Sequence, residues 1–173
     1  MRVFVTVGST KFDSLIQSVL SDDVLHAFNA KGYTDIVVQC GNSQLDPSSG
    51  LVTNETAWTL ERDGIRLDMW RFKPSLEEEY NGADLVVSHA GSGTILDVLR
   101  KSKALIVVPN PTLLDNHQEE LAKALADLGH LKASNIRELA RTIRELDIST
   151  IKPFPAFDGS RFRRLLDEEM GFV

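Results

Sequence analysis

Two periodicities share this chain of 173 residues. Short runs of consecutive apolar, mostly β-branched residues end at turn formers, and between them apolar residues recur every third or fourth position. The runs are RVFVTV (2–7) before Gly8, DIVVQCG (35–41), DLVVSHAG (84–91) and ALIVVPNP (104–111), the last stopped by Pro109 and Pro111. Runs this short and this apolar predict strands buried on both faces, which is the habit of parallel sheets.

The intervening segments predict helices. Phe12, Leu15, Ile16, Val19 and Leu20 fall on one helical face, and a second start at Ser21 opens a helix ending near Gly32. SLEEEYNGA (75–83) reads as a short helix capped by Ser75 with acids in its first turn. SGTILDVLRKS (92–102) follows, then NHQEELAKALADLG (116–129) ending at Gly129, then SNIRELARTIREL (134–146) capped by Ser134 or Asn135. Strand and helix in alternation imply an α/β fold, a mainly parallel sheet with helices on both faces.

Two segments stand apart. Residues 42–64 are polar and turn-rich, and the pattern around Asp63-Gly64 is a hairpin signal, so a small antiparallel insertion or a mobile loop is expected there. Residues 153–173 begin with Pro153 and Pro155. Asp158 or Ser160 can then cap a tail helix that carries Phe162, Leu165, Leu166 and Met170 on one stripe. That stripe either folds back on the domain at residues 1–152 or offers an apolar face to a partner.

Composition narrows the function. With 42% hydrophobic and 25% charged residues the chain is an ordinary globular one, and its net charge of −6 argues against nucleic acid or anionic lipid as its main ligand. The single cysteine, Cys40, ends an apolar run and reads as a buried, inert thiol. Neither a signal-length apolar segment at the N-terminus nor a membrane span is evident, so a cytosolic protein is expected.

In an open parallel sheet, ligands sit beyond the carboxyl ends of the strands. Three loops there carry chemistry. Gly8-Ser9-Thr10 follows the first strand. His89-Ala90-Gly91-Ser92-Gly93-Thr94 supplies two glycines expected to take positive φ, two hydroxyls and a helix N-terminus, a combination that suits a diphosphate. Asp97, a turn further on, can accept from ribose hydroxyls. Asn116, His117 and Gln118 at another helix start can hydrogen-bond a sugar, although Asn116 also reads as a plain N-cap. The dinucleotide fingerprint GxGxxG and the phosphate loop GxxxxGK[ST] are both absent. Asp13, Asp35 and Asp84 read as caps and turn residues, and His26 and His130 as incidental.

HAGSGTILD (89–97) resembles the donor-binding signature of GT-B glycosyltransferases that use UDP-sugars, with an acid eight positions after the histidine. TVGST (6–10) is similar to the phosphate loop opening the C-terminal half of the bacterial enzyme that adds N-acetylglucosamine to lipid I. Over nearly its whole length the chain resembles the small subunits of the UDP-N-acetylglucosamine transferases of dolichol-linked oligosaccharide assembly, members of glycosyltransferase family 28 by their C-terminal-domain-like fold. The resemblance implies a single Rossmann-like, donor-binding GT-B half over residues 1–152. It implies that Gly8, Ser9, Thr10, His89, Gly91, Ser92, Gly93 and Thr94 hold the diphosphate and Asp97 the ribose. Asn116, His117 and Gln118 would hold N-acetylglucosamine, and the backbone near Phe72 and Lys73 the uracil. Two departures stand out: position 97 is usually glutamate in this family, and the stretch 41–57 has no counterpart in the bacterial domain.

Half a GT-B enzyme needs its other half. The resemblance therefore implies a membrane-anchored partner that binds the lipid-linked acceptor, N-acetylglucosaminyl-diphosphodolichol, at the cytoplasmic face of the endoplasmic reticulum. The reaction implied is inverting β1,4 transfer with no cofactor beyond the UDP-sugar donor and no tightly bound metal. The general base is expected on the partner. The rival readings are a non-catalytic nucleotide-binding regulatory module and a scaffold.

Overall fold

The computed structural model describes residues 1–44, 57–112, 117–156, 158 and 170. The strands are β1 (Arg2–Thr6), β2 (Asp35–Gln39), β3 (Ala57–Arg62), β4 (Ile65–Trp70), β5 (Leu85–His89), β6 (Ala104–Val108) and β7 (Lys132–Ala133). The helices are α1 (Asp13–Val19), α2 (Asp22–Ala30), α3 (Glu77–Gly82), α4 (Ser92–Arg100), α5 (His117–Asp127) and α6 (Leu139–Glu145), followed by a 3₁₀ turn at Ile148–Thr150. Together the strands form one sheet in the order β3-β4-β2-β1-β5-β6-β7, parallel except for the β3–β4 pair.

That order contains one reversal. The chain runs from β1 outward to β2, then returns to place β5 on the other flank of β1. At such a switch point the loops leaving neighbouring strands diverge to opposite faces and leave a crevice between them. Here the two loops are those after β1 and after β5.

Alternate residues of each strand point to opposite faces, so every central strand feeds two cores. Val3, Val5, Ile36, Val38, Leu85, Val87 and Ile106 join Leu15, Ile16, Phe28 and Ile143 on one side. On the other, Phe4, Val37, Val86 and Leu105 meet Ile95, Val98, Leu99 and Tyr80. The near-continuous apolar spelling of the strands is the consequence of this double burial.

The segment around Asp63-Gly64 resolves into the hairpin β3–β4. Asp63 at φ 52° and Gly64 at φ 76° supply the two left-handed residues of a tight turn matched to strand twist. The expectation of an antiparallel insertion needs correcting in one respect: β4 is a full member of the parallel sheet beside β2, and only β3 runs against it at the edge. Residues 45–56, and residues 157, 159–169 and 171–173 of the tail, Phe162, Leu165 and Leu166 among them, lie outside the described residues.

Helix ends follow the sequence with small shifts. Asn135 Oδ1 accepts from the backbone N–H groups of Arg137 and Glu138 at 3.0 Å each, so it caps the turn leading into α6. The Ser134 hydroxyl pairs instead with that of Thr142. Ser75 Oγ accepts from Glu77 N at 3.2 Å, one position outside the assigned cap of α3. Cys40 is buried, and desolvation pushes its thiol up to about 12, which fits the inert reading.

Phe4 tests the second core. It is fully buried, stacked against Trp70 at 6.1 Å and edge-on to Tyr80 at 5.6 Å. Phe4→Ala is expected to cost about 3–5 kcal/mol of unfolding free energy, measured as a lower urea midpoint at unchanged slope.

Candidate donor-binding site

The crevice is built from the β1–α1 and β5–α4 turns, whose parent strands are hydrogen-bonded neighbours. His89 is the last residue of β5 and is only 6% exposed. Its imidazole lies between the two turns. A Cβ on Gly8 would stand 2.8 Å from its Cε1, and one on Gly91 would stand 3.0 Å from the same atom and closer still to Nε2. Both glycines are therefore demanded by the ring they flank.

This changes the reason given for Gly91 and Gly93. Neither adopts positive φ: Gly91 sits at φ −75° and Gly93 is helical. The left-handed residues are Gly8 (φ 60°) and Gly41 (φ 52°). A Cβ on Gly93 would meet nothing within 4 Å, so no protein contact accounts for its lack of a side chain.

Helix α4 opens at the crevice with Gly91 as its cap and no side-chain cap hydrogen bond. The first intrahelical bond is Ile95 N–H to Gly91 C=O at 3.0 Å. Among the described residues no acceptor takes the N–H groups of Ser92, Gly93 and Thr94. Neither Ser92 nor Thr94 caps the helix, contrary to the plain glycine-turn alternative. Ser92 is exposed, whereas the Thr94 side chain hydrogen-bonds with Tyr80. Asp97 is exposed on α4 close enough to Tyr80 for its charge to raise the phenol's pKa, a smaller effect than the burial of that ring.

The β1–α1 turn is braced from within. Thr10 donates N–H and hydroxyl to the Val7 carbonyl at 3.2 and 2.6 Å. Thr10 thus serves the turn, while Ser9 is exposed. Beneath the turn lies a polar group that sequence reasoning passed over. Thr6 Oγ donates to Gln39 Oε1 (2.6 Å) and accepts from Gly8 N (3.1 Å), and Gln39 Nε2 donates to the carbonyls of Gly8 (2.8 Å) and Arg71 (2.7 Å). Gly41 packs its backbone onto the same turn, where a Cβ would be 2.5 Å from Gly8 O. The signal was present: Thr6 and Gln39 are the polar residues that close the apolar runs Val3–Val5 and Ile36–Val38.

The outer subsites are placed as follows. Phe72, just past β4, is 56% exposed. Lys73 lies 4.6 Å over the Trp70 ring and pairs with the buried Glu79 carboxylate, which also receives Arg2 at 3.0 Å. The side chain of Lys73 is thereby occupied, which leaves backbone for the expected base contact. Asn116 lies outside the described residues. His117 is exposed at the start of α5, 3.9 Å from Glu120. Gln118 Oε1 accepts from Asn110 N at 3.4 Å, and Asn110, itself buried, donates to Lys11 O at 3.2 Å, tying the β6 loop to the β1 loop. A cleft of about 720 Å³ lies to one side, between α5 and the segment entering α6, and borders these loops at Asn110 and Gln118.

Burial lowers the pKa of His89, and the nearby Thr6 backbone opposes this only in part. Its Nδ1 is buried with no hydrogen bond of normal geometry. Without a ligand, this shift favours the uncharged imidazole near neutral pH.

Comparison with known proteins gives the family and the fold. The sequence profile of the glycosyltransferase family 28 C-terminal domain matches residues 2–167. The UDP-N-acetylglucosamine transferase subunit ALG13 of Cryptococcus neoformans is 33% identical over 193 aligned positions, covering 98% of this chain and 96% of that protein. The mouse protein of the same name is 40% identical over 139 positions, 80% of this chain but 11% of that one, so this chain spans about a tenth of its mammalian relatives. A solution NMR structure of ALG13 superposes with TM-score 0.68 at 27% identity, covering 95% of this chain and 94% of that one. MurG of Acinetobacter baumannii, at 21% identity and TM-score 0.59 over 42% of its length, shares the fold.

Two substitutions with opposite signs follow. Gly91→Ala forces the imidazole out of its slot and is expected to cost about 1–3 kcal/mol. Gly93→Ala, with free space around it inside a helix, is expected to gain up to about 1 kcal/mol; thermal melts of the unliganded protein read both. The buried imidazole also implies a pH slope. Its folded pKa lies below the unfolded one, so the unfolded chain takes up a proton that the folded chain resists. Stability is expected to fall as pH drops below about 6.5, and His89→Gln to flatten that slope, in urea melts run from about pH 7.5 to about pH 5.

Proposed function

The chain belongs to the glycosyltransferase family 28 C-terminal domain family, in the group of UDP-N-acetylglucosamine transferase subunits named ALG13, and from this premise we propose that it is the donor-binding half of a two-polypeptide N-acetylglucosaminyltransferase. The observation that carries the reading is the open start of α4. Three unclaimed N–H groups and a side-chain-free Gly93 stand beside a neutral histidine and a second glycine turn.

In this reading UDP-N-acetylglucosamine lays its diphosphate across the two turns. The α4 N–H groups and the exposed Ser9 and Ser92 hydroxyls take the phosphate oxygens. Gly93 lets the backbone approach, and the positive end of the α4 dipole faces the charge. Asp97 meets the ribose, His117 and Gln118 with Asn116 the sugar, and the backbone at Phe72–Lys73 the base. When the C1–O bond breaks, negative charge grows on the departing UDP, where those fixed donors stabilise it without reorganising. No metal is assigned to this step.

The acceptor is N-acetylglucosaminyl-diphosphodolichol. Its sugar hydroxyl attacks from the face opposite UDP, inverting the anomeric centre to give a β1,4 link. Among the described residues no helix is long and apolar enough to cross a membrane. In this reading the other GT-B half is a membrane-anchored partner at the cytoplasmic face of the endoplasmic reticulum, which holds the lipid-linked acceptor and the general base.

Calorimetry with UDP-N-acetylglucosamine, UDP and ATP tests the donor site, and transfer to the dolichol-linked acceptor after co-expression with the partner tests the reaction. UDP ligands are expected to bind and to shift the amide signals of Gly8–Thr10 and Ser92–Thr94. Gly93→Ala, although stable, is expected to weaken UDP at least about tenfold, or about 1.4 kcal/mol. Tighter binding of ATP than of UDP, or signal changes confined to other loops, would overturn the reading.

A further inference from the structure

Gln39 ends β2 and is 2% exposed, in register with Thr6 on β1 and with Trp70 on β4. The residues before it, Ile36, Val37 and Val38, are apolar and serve the two cores. Continuing that pattern would bury surface with no polar cost. An amide at this place must be accounted for by what it bonds.

Its bonding leaves no freedom of polarity. The Gly8 and Arg71 carbonyls can only accept, so both must face the amide NH₂, at 2.8 and 2.7 Å. The Thr6 hydroxyl oxygen already accepts from Gly8 N–H, so its own proton goes to Gln39 Oε1. Both amide protons and the amide oxygen are used. A closed circuit of this kind in a desolvated place fixes the separation of the groups it joins more tightly than apolar packing does.

The two joined groups belong to different parts of the proposed donor site. Gly8 is the left-handed residue of the diphosphate turn. Arg71 C=O, which also accepts from Gly41 N–H at 3.2 Å, opens the segment that continues into Phe72 and Lys73. The Arg71 guanidinium donates back to the carbonyls of Gly41 and Ser43, so that segment is held on the same side.

We propose that Gln39 is a positioning residue for donor recognition: one buried amide sets the spacing between the diphosphate turn at Gly8 and the base-side segment at Arg71, so that both ends of a nucleoside diphosphate are gripped in register. The inference rests on the reading of the crevice as the donor site. It adds a residue that touches no ligand and acts on both ends at once.

The test uses the full chain with Gln39→Met, which keeps length but removes all polarity, and Gln39→Glu, which keeps an acceptor but turns it toward two carbonyls. Ser9→Ala and Phe72→Pro, which removes a backbone N–H of the base-side segment, perturb one end each. Calorimetry with UDP, UMP and pyrophosphate reads the two ends, and amide hydrogen exchange of the unliganded protein reads the circuit at Gly8 and Gly41. Both Gln39 variants are expected to speed exchange at those two amides at least about tenfold, with Phe4 and Val87 in the central strands unchanged. UDP is expected to weaken at least about tenfold, with its advantages over UMP and over pyrophosphate both reduced. Each single-end variant is expected to reduce only one of the two.

A folded Gln39 variant that binds UDP within about twofold of wild type overturns the proposal, as does a loss confined to one end or unchanged exchange at Gly8 and Gly41. An amide with a purely architectural role would lower the melting temperature while leaving the three affinities in their wild-type ratios. Should the wild type bind no UDP, it is the donor-site reading that fails, and the exchange data alone then decide whether the circuit spaces the two loops. If both Gln39 variants fail to fold, Thr6→Val opens the same circuit from its other side and is judged by the same criteria.

Discussion

The placement of one imidazole governs the rest of this architecture. His89 stands where two parallel strands end side by side, and its buried ring lies against Gly8 and Gly91 in the two turns that leave them. Two backbone turns can approach that ring because neither carries a side chain at the point of contact. The helix that starts immediately after it keeps its first N–H groups unclaimed by the described protein. Strand order, glycine placement and helix start are therefore one constraint met three times.

The loops around this point are held by backbone carbonyls far more than by side-chain pairs. Gln39, Arg71, Asn42 and Asn110 each send a side-chain donor to a loop carbonyl, at Gly8, Gly41, Ser9 and Lys11 among others. Such bonds fix the path of the chain irrespective of the neighbouring side chains. They leave the exposed hydroxyls and amides of the rim for whatever approaches from solvent. The buried carboxylate of Glu79, shared by Arg2 and Lys73, does the same for the segment after β4. Rigidity beneath and openness above are what an electrostatic binding surface requires.

Much of the fold could be read from the chain, for a physical reason. Strands buried on both faces carry unbroken apolar runs, so the apolar middles of Arg2–Thr6, Asp35–Gln39 and Leu85–His89 and all of Ala104–Val108 announced themselves. The turn at Asp63-Gly64 was signalled by a dipeptide that favours two left-handed residues, although the polar stretch before it left a loop open as the alternative. The membership of β4 in the parallel sheet was not, since alternating polarity at the sheet's flank looks the same whether the strand is inserted or integral. For the site, residue types were legible and their causes less so. Gly91 was singled out for a backbone angle that it does not adopt; the structure shows instead the ring of His89, two positions earlier, where its Cβ would stand. Thr6, Gln39 and Gly41 act through contacts between segments some 30 residues apart, as in the bond from Gln39 to Gly8; a polar residue closing an apolar run marks Thr6 and Gln39, but the local pattern does not show what they join.

The depth at which Cys40 lies has a practical side. Its thiol sits at 0% exposure and holds its proton well into the alkaline range, so maleimides and disulfide reagents find neither access nor a thiolate there. The 173-residue sequence contains no other cysteine. It thus comes ready-made as a background for attaching a spin label or fluorophore: a cysteine placed on the rim of the crevice would be the sole reactive position, and distances to a docked second polypeptide could be followed without first engineering anything away.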